Sequence, residues 1–455
     1  MRYSRFHDGQ GTSVPPATRR NNDVTSSPRP AVVVGANRIP FARAGGRYAS
    51  SSNKDMLTAA LEGLVARFGL AGERLDDVSA GAVLKHSRDF NLAREVVLGS
   101  SLDPHTPAFD VQRACATGLE AVVGVSNKIA LGQAEAGIAG GVDSASDAPI
   151  VVSDRLRAAI LRASRAKTLP ERLKAISAIR PRDLAPVAPD TAEPRTGMSM
   201  GQHQAVTTER WGITREAQDA LALASHQNLA AAYDRGFFDD LLTPYRGITR
   251  DEFLRPDTSL DKLGKLRTAF TAPGSDNPTM TAGNSTPLSD GASTVLLATE
   301  EWAGERGLPT LARVVDSQTA AVDFTSGAEG LLMGGCYAVP RLLERQGLAL
   351  EDFDFVEIHE AFAATVLATL AAWNDAEFCR ERLGRGPLGT VAPERLNVTG
   401  SSLAAGHPFG ATGGRIVGTL AKLLAEKKAA TGAPVRGLIS VCAAGGQATA
   451  MILEA

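Results

Sequence analysis

Apolar runs and segments of helical periodicity alternate along most of the chain. The first run, Ala31 to Ala36, is unbroken, as in a strand buried on both faces. The alternation predicts an α/β protein with a mostly parallel sheet and covering helices, and the second half echoes the first as an internal duplication would. Further strands are predicted at about 80–84, 136–139, 294–298, 311–315, 353–358, 435–441 and 448–453, and helices at about 54–68, 91–99, 116–131, 337–346, 361–373 and 408–427.

The pattern changes between residues 154 and 278. Prolines interrupt short helices there and no buried strand recurs, so the segment is interpreted as an inserted domain. Its first part is rich in arginine and lysine, as solvated helix faces usually are, and a role in holding ligand phosphates or a partner is the alternative. A longer helix is predicted with Thr214 as N-cap, ending near Arg235. The predicted division is 31–153 with 279–303 as the first half, 154–278 as the insertion, and 304–455 as the second half.

Length and composition limit the class of protein. The 455 residues are 44% hydrophobic and 22% charged, as in a globular protein of two or three domains. A net charge of −2 gives no broad electrostatic footprint for nucleic acid. No apolar run reaches membrane-spanning length, so no transmembrane segment is predicted. The four cysteines are widely spaced and do not suggest a disulfide framework, so a reducing compartment is expected.

The start of the chain differs from the rest. Residues 1–30 mix arginines with small polar residues and prolines and show no apolar periodicity, so we predict a disordered extension. An organelle transit peptide is the alternative, although two acidic residues and the prolines argue against it. The expected location is therefore cytoplasmic, or mitochondrial if the extension is a transit peptide.

One cysteine stands where a nucleophile could be prepared. A short strand is predicted to end at Gln112, and Cys115 then lies at the start of the apolar helix 116–131. The free N–H groups and positive dipole end of a helix favour a thiolate there. The alternative is that Cys115 is a small buried apolar residue, as many isolated cysteines are.

Three later stretches carry the residue types that a thiolate enzyme needs. His359 and Cys442 follow or end predicted strands, and His407 lies in a glycine-rich turn at the start of the helix 408–427. A base beside Cys115 is the natural use of such a histidine. Two cysteines with two histidines could also mean zinc, but no pair has ligand-like local spacing, so the acyl-transfer interpretation is preferred and no metal is expected. Cys336 and Cys379 have no such setting and are interpreted as structural.

Four short motifs together resemble the thiolase family of acetyl-CoA acyltransferases. They are Gln112-Arg-Ala-Cys115, His359-Glu-Ala-Phe362, Gly406-His-Pro-Phe-Gly-Ala-Thr-Gly413 and Cys442-Ala-Ala-Gly-Gly446. The resemblance runs from about residue 31 to the C-terminus. It implies a duplicated αβαβα five-layered core, an inserted loop domain that binds coenzyme A, and a homodimer or tetramer.

The same resemblance implies a role for each motif. Cys115 would be the acylated nucleophile, His407 its base and Cys442 the second acid/base. His359 would help to position a water that, with His407, stabilises the thioester oxygen. The backbone N–H groups of Cys115 and Ala444 would hold the oxygen of the tetrahedral intermediate. The implied substrate or coenzyme A contacts are Met200, Gly201 and Thr286.

The sequence departs from the family pattern at four places. His359 stands where many thiolases have Asn, which resembles the β-subunit branch of the fatty-acid-oxidation complex, and a hydratase/dehydrogenase subunit would be the corresponding partner. Ala444 stands where Gly is usual and keeps the N–H donor. Ser199 replaces a common His, and Gly335-Cys336 replaces a usual Gly-Pro.

The expected activity is CoA-dependent thiolytic cleavage of a 3-ketoacyl-CoA to acetyl-CoA and a shortened acyl-CoA, or its reverse. Coenzyme A would be a co-substrate, and no permanently bound cofactor is expected. A place in fatty-acid or sterol side-chain β-oxidation follows from the resemblance. One alternative is a β-ketoacyl synthase-like condensing enzyme, but that class lacks a second cysteine, so Cys442 argues against it. The other alternative is a non-catalytic acyl-CoA or lipid-binding relative.

Overall fold

The computed structural model describes residues 29–455. Nearly all of the predicted N-terminal extension, residues 1–28, therefore lies outside the described part. The strands are β1 (Val32–Arg38), β2 (Ala42–Arg43), β3 (Asp77–Ala80), β4 (Ala108–Asp110), β5 (Ala136–Ser144), β6 (Val151–Val152), β7 (Pro186–Val187), β8 (Thr268–Phe270), β9 (Met280–Thr281), β10 (Ser289–Ala298), β11 (Ala312–Ala321), β12 (Phe355–Ile358), β13 (Arg436–Ala443) and β14 (Gln447–Glu454).

The helices follow the predicted positions closely, with small shifts at their ends. They are α1 (Asn53–Phe68), α2 (Leu92–Leu98), α3 (Thr117–Ala130), α4 (Asp154–Arg165), α5 (Leu169–Ser177), α6 (Met200–Arg210), α7 (Arg215–Asp234), α8 (Leu260–Gly264), α9 (Glu300–Glu305), α10 (Gly335–Gln346), α11 (Ala363–Asn374), α12 (Ala376–Phe378), α13 (Ser402–Ala405) and α14 (Thr412–Thr431). Within residues 29–455, no helix has the length and apolar character needed to cross a membrane.

The strands run in the order β12-β13-β14-β11-β1-β10-β5-β3-β4. The predicted mostly parallel sheet is wrong. Strands β1, β10 and β5 pair antiparallel, as do β11, β14 and β13, whereas β3 is parallel to β4 and β5, and β12 is parallel to β13. Alternation of helices and strands along a chain does not fix which strands become neighbours. Here β13 returns directly into β14 through a tight turn, which gives an antiparallel pair.

Two sheets meet at one short pairing, where Val32 and Val33 of β1 lie opposite Arg313 and Ala312 of β11. Helices α3 and α14 pack on each other between the sheets, α1 and α2 cover the outer face of the first sheet, and α10 and α11 cover the outer face of the second. The order of layers is therefore αβαβα. The five-layered core implied by the resemblance is confirmed, with each half supplying one central helix.

Alternation along the buried strands divides the core. In β10, Val295 and Leu297 face the central helices, whereas Leu296 and Ala298 face the outer layer. In β14, Met451 likewise belongs to the central core and Ile452 to the outer core of the second half. Since both faces of these strands are covered, their sequences read as continuous apolar runs.

The segment between β5 and β10 carries helices α4 to α8 and short strands only. Helix α7 confirms the predicted long helix, and the Thr214 hydroxyl accepts a hydrogen bond from the N–H of Ala217, as an N-cap does. Helices α4 and α5 expose both their basic residues and several apolar ones, including Leu169 and Leu173. The exact division of the chain at residues 154, 279 and 304 stays a prediction.

The end of β3 and the start of α14 differ from the predicted positions because nearby backbone N–H groups donate to the Asp143 carboxylate. The strand expected at 80–84 ends at Ala80, since the N–H groups of Val83 and Leu84 donate to the Asp143 carboxylate instead of to a strand. The helix expected from Pro408 begins at Thr412, after a 3₁₀ turn in which the N–H of Gly410 also donates to Asp143. Asp143 thus ties both loops to the end of β5.

Candidate active site

Cys115 lies in a tight turn between β4 and α3. The residue before it, Ala114, has a φ of +42°, a left-handed conformation that costs about 1–2 kcal/mol for a residue other than glycine. The Thr117 hydroxyl holds this turn, because it accepts from the N–H of Arg113 at 2.9 Å and donates to the carbonyl of Ala114 at 2.7 Å. The predicted position of Cys115 at the start of a helix is confirmed, since α3 begins two residues later.

The charge state of Cys115 differs from the expectation. Burial raises the pKa of its thiol to about 12, and the nearby Asp143 carboxylate raises the pKa further. The backbone N–H of Ala444 is directed at the sulfur and, with the N–H of Cys115 itself, acts in the opposite direction. The predicted resting thiolate is therefore wrong, because loss of water outweighs the helix end. The thiol needs a base.

Two histidines lie beside this thiol. The ring centroids of His359 and His407 are 4.1 Å apart, and one ring nitrogen of each lies with the Cys115 sulfur in a group whose members are all within 4.8 Å of one another. Each ring is held at its Nδ1, His359 by the Ser402 hydroxyl at 2.9 Å and His407 by the Thr412 hydroxyl at 2.6 Å. The Nε2 atoms are buried and have no partner in the described part of the chain. They are the nitrogens free to act on a substrate.

Both histidines are neutral at physiological pH. Burial lowers the pKa of His407 to about 3, with the Arg415 charge as a second cause. Burial also lowers the pKa of His359 well below its ordinary value, and His407 and Arg415 add to the effect. A neutral imidazole can accept a proton, which a base for Cys115 must do.

Cys442 occupies the next-to-last position of β13, close to Cys115. Burial, and then the neighbouring Cys115 thiol, raise the pKa of Cys442. Its side chain lies in an apolar cluster with Ala361 and Phe362, and the N–H of His359 donates to the carbonyl of Ser440, two residues before Cys442. The structure therefore brings together the four residues that the sequence singled out from four distant stretches.

The turn after Cys442 is fixed by a residue that the sequence interpretation missed. Glu193, from the segment between β5 and β10, is 8% exposed, and its carboxylate accepts the N–H of Gly445 at 2.8 Å. This contact holds the turn in which Ala444 presents its N–H to Cys115. A single glutamate in a proline-rich segment gave no periodicity or motif by which to find it.

The three expected substrate contacts each touch or belong to the apolar cluster that contains Cys442. Met200 is the first residue of α6, which Ser199 caps through its hydroxyl, and it packs into the same apolar cluster as Cys442. Gly201 lies against the Phe270 ring, which a Cβ would overlap at 2.1 Å. Thr286 donates from its N–H and its hydroxyl to the carbonyl of Ala361. Their roles as coenzyme A contacts stay predictions.

Glycines bring the His407 loop against the start of α3. A Cβ on Gly118 would lie 2.6 Å from the carbonyl oxygen of Gly410, and one on Gly141 would lie 1.9 Å from the same oxygen. A Cβ on Gly413 would lie 2.1 Å from the backbone nitrogen of Leu119. The glycine-rich box is thus needed for close backbone contact, and that contact sets His407 beside Cys115.

A buried polar layer behind the histidines was also missed. Glu360 accepts from the Ser225 hydroxyl, the Asn397 amide and the N–H of Leu403, and so joins three segments. Burial raises the pKa of Glu357 to about 8, and both of its carboxyl oxygens lack a partner among the described residues. Glutamates beside His359 in sequence could have signalled this layer, but the distant Arg415 could not have been placed.

The Cys115, His359 and His407 group has the atom types of a zinc site. The argument against a metal from local spacing does not hold in the fold, since the ligand atoms come from distant segments and lie within 4.8 Å of one another. Tetrahedral zinc would need them at roughly 3.5 Å from each other, given its usual bond lengths. The expectation of no metal stays a prediction.

Family models of the thiolase N-terminal domain and the thiolase C-terminal domain match residues 31–301 and 308–455. The chain therefore belongs to the thiolase family, and the resemblance seen in the four motifs is confirmed. The expectation of an acyltransferase enzyme is confirmed with it.

Individual relatives narrow the comparison. The chain is 41% identical to a 3-ketoacyl-CoA thiolase of Yersinia pseudotuberculosis over 430 residues, which are 93% of this chain and 96% of the relative. The crystal structure of human mitochondrial 3-ketoacyl-CoA thiolase superposes with a TM-score of 0.76 at 28% identity, over 94% of this chain and 100% of that chain. The structure of a human mitochondrial 3-ketoacyl-CoA thiolase in complex with CoA superposes with a TM-score of 0.75, also at 28% identity, over 94% and 98% of the two chains.

Proposed function

We propose that the protein catalyses reversible, CoA-dependent thiolytic cleavage of 3-ketoacyl-CoA to acetyl-CoA and a shortened acyl-CoA. The observation that carries the proposal is the grouping of the Cys115 sulfur with ring nitrogens of His359 and His407 within 4.8 Å, with the N–H of Ala444 directed at that sulfur. The group contains a nucleophile, a base and a donor for the oxygen on which charge develops.

In the first half-reaction, the Nε2 of His407 takes the Cys115 proton while the sulfur attacks the 3-keto carbon. The thiol and the imidazole are both neutral in the empty site, so proton transfer accompanies attack. The N–H groups of Cys115 and Ala444 hold the oxyanion. The bond between carbons 2 and 3 then breaks, and the carbanion of acetyl-CoA takes the Cys442 proton.

In the second half-reaction, coenzyme A cleaves the acyl-enzyme. The Cys442 thiolate left by the first step removes the proton of the coenzyme A thiol, and the resulting thiolate attacks the Cys115 thioester. Cys115 leaves as a thiolate and takes back the proton held by His407, while Cys442 keeps the proton of coenzyme A, so both cysteines return to the thiol form and protons balance over the cycle. The high pKa of Cys442 suits this role, because a strong conjugate base can remove the proton of another thiol.

The remaining expectations extend this proposal. Residues 154–278 contribute to coenzyme A binding, and the substrate comes from fatty-acid or sterol side-chain β-oxidation. The chain assembles as a homodimer or tetramer, which the exposed apolar residues Phe90 and Phe109 near the edge strand β4 support. A hydratase/dehydrogenase subunit is the proposed partner, and the proposed location is cytoplasmic, or mitochondrial if residues 1–30 are a transit peptide.

The test is CoA-dependent loss of acetoacetyl-CoA and of a long-chain 3-ketoacyl-CoA, with intact-mass detection of the acyl-enzyme. We expect Cys115→Ala to abolish acylation and to lower kcat at least about a thousandfold, and Cys442→Ala to lower kcat about a hundredfold or more. Cys379→Ala is the matched control, because Cys379 is a buried thiol in the outer core.

The two substrates also decide the chain-length class. Faster cleavage of the long-chain substrate would support the β-subunit branch, and the converse would favour a short-chain enzyme. Acylation of Cys115 without cleavage of either substrate would overturn thiolysis in favour of a condensing enzyme. Wild-type behaviour of Cys115→Ala in every assay would favour a non-catalytic relative.

A further inference from the structure

A buried guanidinium lies behind the two histidines, and the proposed reaction gives it no role. Arg415, in the first turn of α14, is 5% exposed. Its Nη2 donates to the hydroxyls of Ser401 and Ser402, each at 3.0 Å. Burial lowers the pKa of Arg415 to about 10, while Glu357 and Glu360 act against that change, so the side chain remains a cation at neutral pH.

The contacts of Ser402 determine where its proton goes. A guanidinium can only donate, so the Ser402 oxygen is the acceptor in its contact with Arg415. Among the described residues, the one acceptor that the Ser402 hydroxyl reaches is the Nδ1 of His359 at 2.9 Å. If that nitrogen carried a proton instead, the Ser402 oxygen would accept twice and its own buried proton would have no partner, which costs free energy.

We propose that Arg415 and Ser402 are positioning residues that hold His359 as the tautomer with its proton on Nε2, so that this N–H is a fixed donor in the active site. The Nε2 of His359 is buried and lacks a partner among residues 29–455, and one ring nitrogen of His359 lies within 4.8 Å of the Cys115 sulfur and of a ring nitrogen of His407. A substrate thioester oxygen, or a water that bridges to it, would supply the missing acceptor. This inference rests on the proposed function for the identity of the acceptor only.

The proposed tautomer of His359 gives the two stacked histidines different chemical roles. In the proposed reaction His407 takes the Cys115 proton at a bare Nε2, which requires its Nδ1–H to donate to the Thr412 hydroxyl 2.6 Å away. The Nε2 of His359, in contrast, carries a proton and acts as a hydrogen-bond donor. A base and a hydrogen-bond donor would then lie side by side, with their ring centroids 4.1 Å apart. Arg415 fixes the Ser402 hydroxyl as a donor to His359, whereas no cation contacts the Thr412 hydroxyl in the described chain, so that hydroxyl can either donate to the Nδ1 of His407 or accept from it.

The direct test reads the tautomer in the full-length protein. Long-range ¹H–¹⁵N correlation spectra of ¹⁵N-histidine-labelled protein would be assigned for His359 by the signals lost in His359→Gln. We expect a pyridine-like Nδ1 and a pyrrole-like Nε2 in the wild type, and a mixture of tautomers in Ser402→Ala. Ser401→Ala is the matched control, because Ser401 also accepts from Arg415 but does not contact His359. A protonated Nδ1 in the wild type, or equal spectra for the two serine variants, would overturn the inference.

A kinetic cycle separates positioning from general stability. We expect Ser402→Ala to lower kcat about fivefold to tenfold, the equivalent of one buried hydrogen bond, with KM nearly unchanged and Ser401→Ala within about twofold of wild type. In a His359→Ala background, Ser402→Ala should have no further effect on kcat. Additive losses would show that Ser402 acts independently of His359 and would overturn the inference. If the wild type cleaves no 3-ketoacyl-CoA but shows the expected tautomer, the proposed function fails and the tautomer assignment stands.

Discussion

His359 and His407 stack with ring centroids 4.1 Å apart and an interplanar angle of 47°. One follows β12 and the other lies in the glycine-rich loop before α14, so the contact exists only in the folded chain. Because burial and the Arg415 charge disfavour the imidazolium form of each ring, both rings stay neutral where an ordinary histidine would titrate. The pair therefore links the chemistry of the site to the acid stability of the fold.

The first prediction concerns acid pH. The unfolded chain protonates His407 near its ordinary pKa of 6.5, whereas the folded chain does not until about 3. The unfolded state thus binds more protons in that window, and stability falls as pH drops from 6.5 towards 3. Between about pH 7 and about pH 5 the free energy of unfolding of the wild type should fall, and we expect this fall to be about 1–2 kcal/mol smaller in His407→Gln. Urea denaturation at each pH measures it. Parallel curves of unfolding free energy against pH for the wild type and His407→Gln would contradict the prediction.

The second prediction has the opposite sign and concerns Glu357. Its folded-state pKa is raised to about 8, so the folded chain keeps a proton that the unfolded chain releases near 4.5. The contribution of Glu357 to the free energy of unfolding is fully present below about pH 4.5 and is lost as the pH rises to about 8. Glu357→Gln imitates the protonated acid and should match wild type at about pH 5 but exceed it by about 1–3 kcal/mol at about pH 8. Glu377→Gln, at an exposed position, is the control, and a difference that does not grow with pH would refute the assignment.

The sequence identified the reactive residues because their local settings are unusual. Cys115, His359, His407 and Cys442 each stand at a strand end or in a glycine-rich turn, where short-range pattern is informative. The N-cap Thr214 was found for the same reason. These features depend on residues within a few positions of each other, so one chain is enough to read them.

What the sequence did not reveal depends on distant partners. The sheet directions follow from which strands meet after a long insertion, and no local pattern encodes that. The pKa of Cys115 was predicted in the wrong direction because the burial that raises it comes from the assembled halves. Glu193 lies far along the chain from Gly445, and Arg415 lies far from His359, which it reaches through Ser402.

The third prediction tests the strained turn before the nucleophile. Ala114 has a φ of +42°, which glycine adopts without a steric cost. Ala114→Gly should therefore be neutral or stabilise the fold by up to about 1 kcal/mol, because relief of strain offsets the added entropy of the unfolded chain. Ala116→Gly, two residues on at a φ of −89°, should destabilise by about 1 kcal/mol. Thermal unfolding of both variants checks the contrast, and equal destabilisation would show that the turn stores no strain.

The fourth prediction concerns the metal-like grouping of Cys115, His359 and His407. If these residues serve acyl transfer, purified protein should contain far less than one zinc per chain, and dialysis against a chelator should leave thiolysis unchanged. Added zinc should inhibit, since it would occupy the thiol and both ring nitrogens. Metal analysis and activity before and after dialysis give the answer. One bound zinc per chain, with activity lost on its removal and restored on its return, would contradict the acyl-transfer assignment.

The last prediction uses a close backbone contact between the two central helices. A methyl group on Gly413 would lie 2.1 Å from the nitrogen of Leu119 and 2.8 Å from the carbonyl carbon of Gly118, both of which are backbone atoms. Gly413→Ala must therefore push α14 away from the start of α3, and overpacking of this kind costs roughly 1–3 kcal/mol or more. The shift would also separate His407 from Cys115, so kcat should fall more than stability alone explains.

Gly304→Ala is the control for that substitution. Gly304 lies in α9, and an added Cβ there meets no atom within 4 Å, so the change should be neutral or stabilise the helix by up to about 1 kcal/mol. Acylation of Cys115 by a substrate, followed by intact mass at a temperature where both variants are folded, separates misalignment from unfolding. If Gly413→Ala protein is folded and is acylated at the wild-type rate, close packing of the two central helices does not position His407 beside Cys115.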